Sequence, residues 1–331
     1  MRAIQFDRFG DYDVLQSVDA PTPAPREGQA LVRISVAGIN PLDDTLRRGK
    51  LPAGSVKPFP LVPGMSGVGL LEEPGASGLA PGARVLVSGG PYGIVADGTW
   101  AEFVAVDPAR LLPIPDAVDD LAATALVAGA GYLTAYLALR ELAGFHPGRT
   151  VLAPGVGGAV GQGGVEIARV LGAAQAITTA TTTAKAERGR ALGWEVIDLS
   201  RESVPEGIAR LTEGKGVDIV LDGVAGPLTG DLLSALAVDG TLISIGYSAG
   251  MQTTINVTDL IWKNAYVRGF RFALFTPQTI AEGNQALLEL LAHKEINPQI
   301  DRTYPLADAA EATRHLIEDS PFGRVLLTMA T

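Results

Sequence analysis

The chain has 331 residues, 47% hydrophobic and 19% charged, which is more apolar material than one ordinary core holds, so two globular domains are expected. A net charge of −10 repels phosphate-rich polymers and anionic membranes, which excludes broad attraction to either and leaves any phosphate ligand to local geometry. Cysteine is absent, so disulfides and thiolate-bound zinc are excluded, and His146, His293 and His315 stand far apart without metal-ligand spacing and read as surface or capping residues.

From Met1 to Gly10 the chain carries Arg2, Asp7 and Arg8 and has no apolar run of signal-peptide length. No span is expected to supply the ~18 uncharged apolar residues needed to cross a bilayer, and a cytoplasmic protein is the expectation. Between Arg2 and about Val106, short β-branched runs such as Ala30–Val36, Val68–Leu71 and Arg84–Val87 alternate with turn signals at Pro63-Gly64, Pro74-Gly75 and Pro81-Gly82. They predict a small, turn-rich β domain. From about Asp119 the period becomes helical, over Leu121–Val127 and Leu133–Leu139, and a domain boundary is placed there. After Pro147-Gly148, strands are expected at Thr150–Ala153, Gln175–Thr179, Glu195–Asp198, Val217–Asp222, Thr241–Ile245 and Tyr266–Phe270. Helices are expected at Val160–Leu171, Ala184–Leu192, Val204–Leu211 and Pro227–Leu236. Strands apolar on both faces and alternating with helices predict an α/β fold with a doubly wound parallel sheet. Beyond Phe270 follow a long helix (Pro277–His293), a strand, a shorter helix (Ala307–Glu318) and a last strand (Arg324–Thr328), which by pattern alone either rejoin the first domain or extend the second.

Gly155, Gly158 and Gly161 fall where a strand must turn into a helix. Without Cβ atoms the backbone can approach a pyrophosphate, and the first helical turn, Ala159 and Val160 with Gly161, offers unpaired N–H groups at a positive dipole end. The spacing differs from the common GxGxxG fingerprint, and with 40 glycines in the chain a merely tight turn is the alternative. An NAD-selective site places an acid about 20 residues further on. Ile167 to Ala186 contains none; the strand instead ends in a threonine run that includes Thr181, followed by Lys185. Hydroxyls and one cation where a 2′-phosphate would sit predict a preference for NADPH, the alternative being a solvated turn.

Taken in order, several segments carry a resemblance that runs nearly end to end: Met1-Arg-Ala-Ile4, Ala37-Gly-Ile-Asn40-Pro-Leu-Asp43, Pro63-Gly64, Gly98-Thr-Trp-Ala-Glu-Phe103, Leu133-Thr-Ala-Tyr136, the Gly155 turn, Val217–Asp222 and Gly323–Leu327. The chain resembles the zinc-free quinone oxidoreductase branch of the medium-chain dehydrogenase/reductase superfamily. The resemblance implies a GroES-like domain over 1–122 and 270–331, a Rossmann domain over 123–269, a nicotinamide cleft between them, and a homodimer pairing through Val267–Phe270. It further implies that Asn40 faces the substrate, Thr134 lies by the nicotinamide, Gly246, Tyr247 and Ser248 line the pyrophosphate and ribose, and Lys185 meets the 2′-phosphate. Zinc-dependent relatives have a cysteine where Asn40 stands and a His-Glu pair where Met65-Ser66 stands. The chain departs from the branch at Thr45, Leu51 and about Leu199, where relatives often carry tyrosines, and at Ser66 and Tyr132.

An alkoxide needs a Lewis acid, whereas a quinone or activated alkene accepts hydride with its charge delocalised, so positioning and hydrogen bonds suffice. The expected chemistry is hydride transfer from NADPH to a small-molecule quinone or enone, with the Asn40 amide donating to the acceptor oxygen and solvent supplying the proton. Plain structural readings stay open: Asn40 as a turn residue before Pro41, Asp43 or Asp44 as the N-cap of a short helix through Arg48, Thr134 bonding back to a helix carbonyl, Tyr247 as packing. The competing functions are an NADPH-dependent enoyl or alkenal reductase and a low-turnover NADPH-binding sensor.

Overall fold

The structure, a computed structural model, describes residues 1–52 and 54–329. Element contacts divide it into two units, one of Met1–Gly129 joined by the chain from Leu288 onward, the other of Ala130–Leu287.

The first unit begins with a hairpin-like pair, β1 (Arg2–Gln5) and β2 (Gln16–Asp19). Then come β3 (Ala30–Gly38), α1 (Pro41–Arg47), β4 (Ser66–Glu73), β5 (Arg84–Ser88), β6 (Phe103–Val106), β7 (Leu111–Pro113) and α2 (Asp120–Val127). The central strand β3 is buried along most of its length, and β4, β6 and the last strand of the chain all pair with it antiparallel. Its core gathers Ile4, Phe6, Leu46, Leu61, Val85 and Trp100, all nearly inaccessible.

The second unit opens with α3 (Gly131–Leu137) and continues β8 (Thr150–Leu152), α4 (Ala159–Val170), β9 (Gln175–Ala180), α5 (Thr183–Ala191), β10 (Glu195–Asp198) and α6 (Val204–Leu211). It ends with β11 (Val217–Asp222), α7 (Leu228–Ser234), β12 (Leu236–Ser244), α8 (Val257–Trp262) and β13 (Tyr266–Gly269). Among the described residues these six strands form one parallel sheet in the order β10-β9-β8-β11-β12-β13. Local signals fix the helix starts: Thr182 accepts from the N–H of Lys185, and Ser203 and Glu206 form a reciprocal capping box.

Helix α9 (Pro277–Ala292) carries the chain from the second unit to the first, where β14 (Ile300–Pro305), α10 (Ala309–Arg314) and β15 (Arg324–Thr328) complete the mixed sheet, with β15 between β14 and β3. The chain passes from the first unit to the second after Gly129 and back after Leu287. The reason is packing: α2 lies on β3 and β4, while on α9 a Cβ at Gly283 would come within 2.8 Å of Leu133 in α3.

One stretch, Asp120–Leu142, does reach the length and hydropathy of a membrane-crossing helix, which the sequence reading did not anticipate. It is interrupted by left-handed Gly129 (φ 74°) and Ala130 (φ 50°), and 72% of its apolar window is buried.

Candidate functional site

The strand order reverses at β8 and β11, which lie side by side while their successors run off in opposite directions. Such a switch point opens a crevice beyond the carboxyl ends of the strands. The glycine turn leaves β8 at this place. Gly155 takes φ 89° and donates its N–H to the Thr179 hydroxyl at 3.2 Å, and the Val156 N–H bonds the Thr179 carbonyl at 2.8 Å, so β9 holds the turn in shape. Gly158 caps α4 with no side chain of its own. A Cβ on Gly161 would sit 2.1 Å from the Gly155 carbonyl oxygen, so only glycine lets the helix start this close to the strand. A Cβ on Gly158 would touch nothing nearer than 3.3 Å, so the outer face of the turn is open. The N-terminus of this 12-residue helix, with Ala159, Val160 and Gly161 on its first turn, is a positive dipole end that suits an anion there. The residues present therefore fit a dinucleotide pyrophosphate.

At the neighbouring strand end, Thr181 and Thr182 are exposed and Lys185 is half-buried on the first turn of α5. The Thr183 hydroxyl donates to Asp198 at 2.7 Å, a carboxylate that parallel pairing of β10 with β9 brings here from outside the sequence window searched for an acid. Ser200 and Thr183 hydroxyls hold this carboxyl below its ordinary range, and the Arg201 guanidinium lies 3.4 Å away, so its charge is locally balanced. After β12, the Gly246 N–H bonds the Asp222 carbonyl at 3.2 Å, and a Cβ there would come within 2.5 Å of the Gly223 oxygen. Tyr247 is 57% exposed, which removes the packing reading, and the Ser248 hydroxyl reaches the Val224 carbonyl at 3.5 Å. Apart from Thr134, the structure thus places the candidate residues of the second unit just after the carboxyl ends of β8, β9 and β12.

Thr134 is buried on α3, and among the described residues its hydroxyl makes no hydrogen bond. It differs from Thr124, Thr212 and Thr313, whose hydroxyls each bond back to a helix carbonyl at 2.7 Å. Tyr132, a departure from the expected small residue, donates to Glu166 on α4 at 2.8 Å and ties the two helices together. A Cβ on Gly131 would fall 2.2 Å from the Ala159 carbonyl carbon, so α3 and α4 meet backbone to backbone.

Asn40 belongs to the first unit. It is the N-cap of α1, which starts at Pro41. Neither Asp43 nor Asp44 caps this helix, contrary to one sequence reading. The Asp43 carboxylate instead reaches back from the third helical position to accept the Asn40 N–H at 2.8 Å, and Asp44 pairs with Arg47 and Arg48. Asn40 Oδ1 accepts the N–H of left-handed Gly129, which leaves the amide nitrogen as the end free to donate. Asp43 is buried, and desolvation pushes its carboxyl up to about 7 against the lowering effect of the Asn40 and Gly64 N–H groups. Its Oδ1 and the Ser66 hydroxyl are buried without a partner among the described residues. No group of three or more His, Cys, Asp or Glu side chains that could hold a metal occurs among the described residues.

A GroES-like β unit, joined to a parallel sheet with a glycine turn at its switch point, defines a medium-chain dehydrogenase/reductase. The alcohol dehydrogenase GroES-like domain family matches residues 26–116, and the zinc-binding dehydrogenase family matches residues 159–291. A quinone oxidoreductase of Pseudomonas aeruginosa is 30% identical over 98% of this chain and 99% of its own. Among solved structures, an NAD-dependent alcohol dehydrogenase superposes with a TM-score of 0.89 at 27% identity, covering 100% of both chains. The Escherichia coli quinone oxidoreductase in complex with NADPH superposes with a TM-score of 0.85 at 27% identity, covering 99% of this chain and 100% of that one. The chain belongs to the quinone oxidoreductase family, in the zinc-independent branch of this superfamily, and is an oxidoreductase that uses a nicotinamide cofactor.

Proposed function

We propose that the chain transfers hydride from NADPH to a quinone or a similar electron-poor acceptor. The observation that carries this reading is the Asn40 amide: buried, held through its oxygen by Gly129, and left with its N–H groups to donate to an acceptor oxygen as that oxygen gains charge. Bound NADPH supplies the hydride. The open turn at Gly155, Gly158 and Gly161 and the first N–H groups of α4 hold the pyrophosphate, and Gly246, Tyr247 and Ser248 flank it. Thr134 positions the nicotinamide through its uncommitted hydroxyl. Thr181 and Lys185 receive the 2′-phosphate. Asp198 does not oppose this, because its oxygens are engaged by Thr183, Ser200 and Arg201. The preference for NADPH over NADH rests on these groups, and a small-molecule quinone is the partner they serve.

The homodimer belongs to the same reading. Strand β13 is the sheet's terminal strand, all four of its residues are exposed, and Ile261, Trp262, Tyr266 and Val267 lie bare beside one another in sequence. An unpaired apolar edge of this kind suits pairing with a second copy.

The test is NADPH oxidation against a panel of quinones, enones and enals, with NADH in parallel and dissociation constants measured separately. Quinone-selective, NADPH-preferring turnover is expected, with Lys185→Ala weakening NADPH binding about tenfold and leaving NADH binding unchanged, the loss of one charge-assisted contact. Selectivity for enones would transfer the chain to the alkene reductases, and tight NADPH binding without turnover would make it a sensor.

A further inference from the structure

Asp43 is placed unusually for a carboxylate. It lies on the first turn of α1 with 3% of its surface exposed, Oδ2 accepts the Asn40 N–H at 2.8 Å, and Oδ1 is buried without a partner among the described residues. The charged groups of the surrounding elements are committed elsewhere. On α1 itself Asp44 binds Arg47 and Arg48, and Arg47 also bonds the Gly10 carbonyl and Asp11. Arg47 and Arg314 both stack on the Tyr12 ring, against which Glu318 also lies. From the turn of π-helix packed on α1, His315 is held between Asp301 and Asp319, and in the loop leading to Gly64 Lys57 binds Asp97. Among the described residues no charged group shifts the Asp43 carboxyl; burial and the Asn40 and Gly64 N–H groups set its behaviour.

We propose that Asp43 is a positioning residue for the hydride-transfer site, gripping Asn40 through its main chain with a strength that changes when its carboxyl gains or loses a proton. This rests on the reading of Asn40 as the donor to the acceptor. Beside the main-chain bond from the Asp43 N–H to the Asn40 carbonyl at 2.9 Å, two bonds fix Asn40, one from Gly129 to its side-chain oxygen and one from its own N–H to the Asp43 carboxylate. Only the second titrates. A charge-assisted N–H···O⁻ bond is roughly twice as strong as a neutral one, so ionised Asp43 holds the loop before α1 more firmly and aims the amide nitrogen. The neutral acid relieves the buried, unpartnered Oδ1 and loosens the same bond. Burial places this exchange near neutrality, where an ordinary aspartate is always ionised.

The experiment follows kcat/KM for the best acceptor at saturating NADPH from about pH 6 to about pH 8, in the full-length wild type, Asp43→Asn and Asn40→Ala. The wild-type value should rise roughly threefold to tenfold through neutrality, mainly in kcat. Asp43→Asn, whose amide oxygen still accepts the Asn40 N–H but cannot ionise, should be flat. A wild-type profile in Asp43→Asn, or no inflection in the wild type while Asn40→Ala still slows turnover, overturns the proposal. If Asn40→Ala has no effect, the role of Asn40 itself is wrong and the proposal falls with it. Should Asp43→Asn fail to fold, selective carbon-13 labelling of aspartate carboxyls in the wild type decides. One resonance titrating near neutrality supports the proposal, and none above the ordinary aspartate range overturns it.

Discussion

Gly161 shows how much can hang on one missing methyl group. Its Cβ would fall 2.1 Å from the Gly155 oxygen and 2.6 Å from the Gly155 carbonyl carbon, both backbone atoms of the turn proposed to hold the pyrophosphate. Gly161→Ala is expected to lower stability by ~1–3 kcal/mol, as overpacking does, and to weaken NADPH binding more than tenfold. Calorimetric titration and thermal melting check the two effects, and unchanged binding would show that the turn does not cradle the cofactor. The glycine spacing is plain in the sequence, because the geometric demand is local. The capping of α1 was legible in principle: Pro41 suits the first helical position, which makes Asn40 the cap and puts Asp43 within reach of the Asn40 N–H. What no local pattern gives is the burial of Asp43, or the arrival of Asp198 beside Thr183, since the latter depends on two strands pairing in register.

Among the elements, the parallel strands were the most legible, since Val217–Asp222 and Glu195–Asp198 carry β-branched residues between helical stretches and form strands with those limits. Strand β12 begins at Leu236 rather than at Thr241, because Asp239 and Gly240 sit inside a strand whose register against β11 shifts there. The shorter helix expected over 307–318 forms α10 and then loosens into a π-helical turn, His315–Asp319. His315 closes this turn, its ring nitrogens 2.9 Å from Asp301 on β14 and 2.8 Å from Asp319. Burial works against the charged ring, but hydrogen bonds to the two carboxylates and the charge of Asp301 prevail and raise its pKa. A raised folded-state value means that the stabilisation is fully present below the unfolded pKa of about 6.5 and is lost as pH rises through the folded one. The wild type should therefore melt above His315→Gln at about pH 6, and the gap should narrow by about pH 9. A gap independent of pH would assign His315 a packing role alone.

At the scale of the whole molecule, the proposed dimer makes its own prediction. Placing a charge on the edge with Val267→Lys, a position 54% exposed, should convert a dimer into a monomer in size-exclusion chromatography with light scattering, because a buried unpaired lysine opposes pairing. A variant that stays dimeric would move the interface elsewhere. The fold class and the division into two units are readable because strand-helix alternation and turn-rich β runs are long-range textures of composition. The destination of the last segment was not readable from pattern alone, since a strand such as Arg324–Thr328 carries no mark of its neighbour; only the resemblance implied that it rejoins the first unit. Its place, between β14 and β3, has a consequence for biosynthesis. The first unit cannot close its sheet until the ribosome has delivered the final strand, whereas Ala130–Leu287 is continuous and complete well before. The nascent chain must therefore leave the Val36–Gly38 end of β3 uncovered on one side throughout the synthesis of the cofactor-binding unit, while β6 already covers Ala30–Arg33, and Val325, Leu326 and Leu327, fully buried, act as the closing stitch.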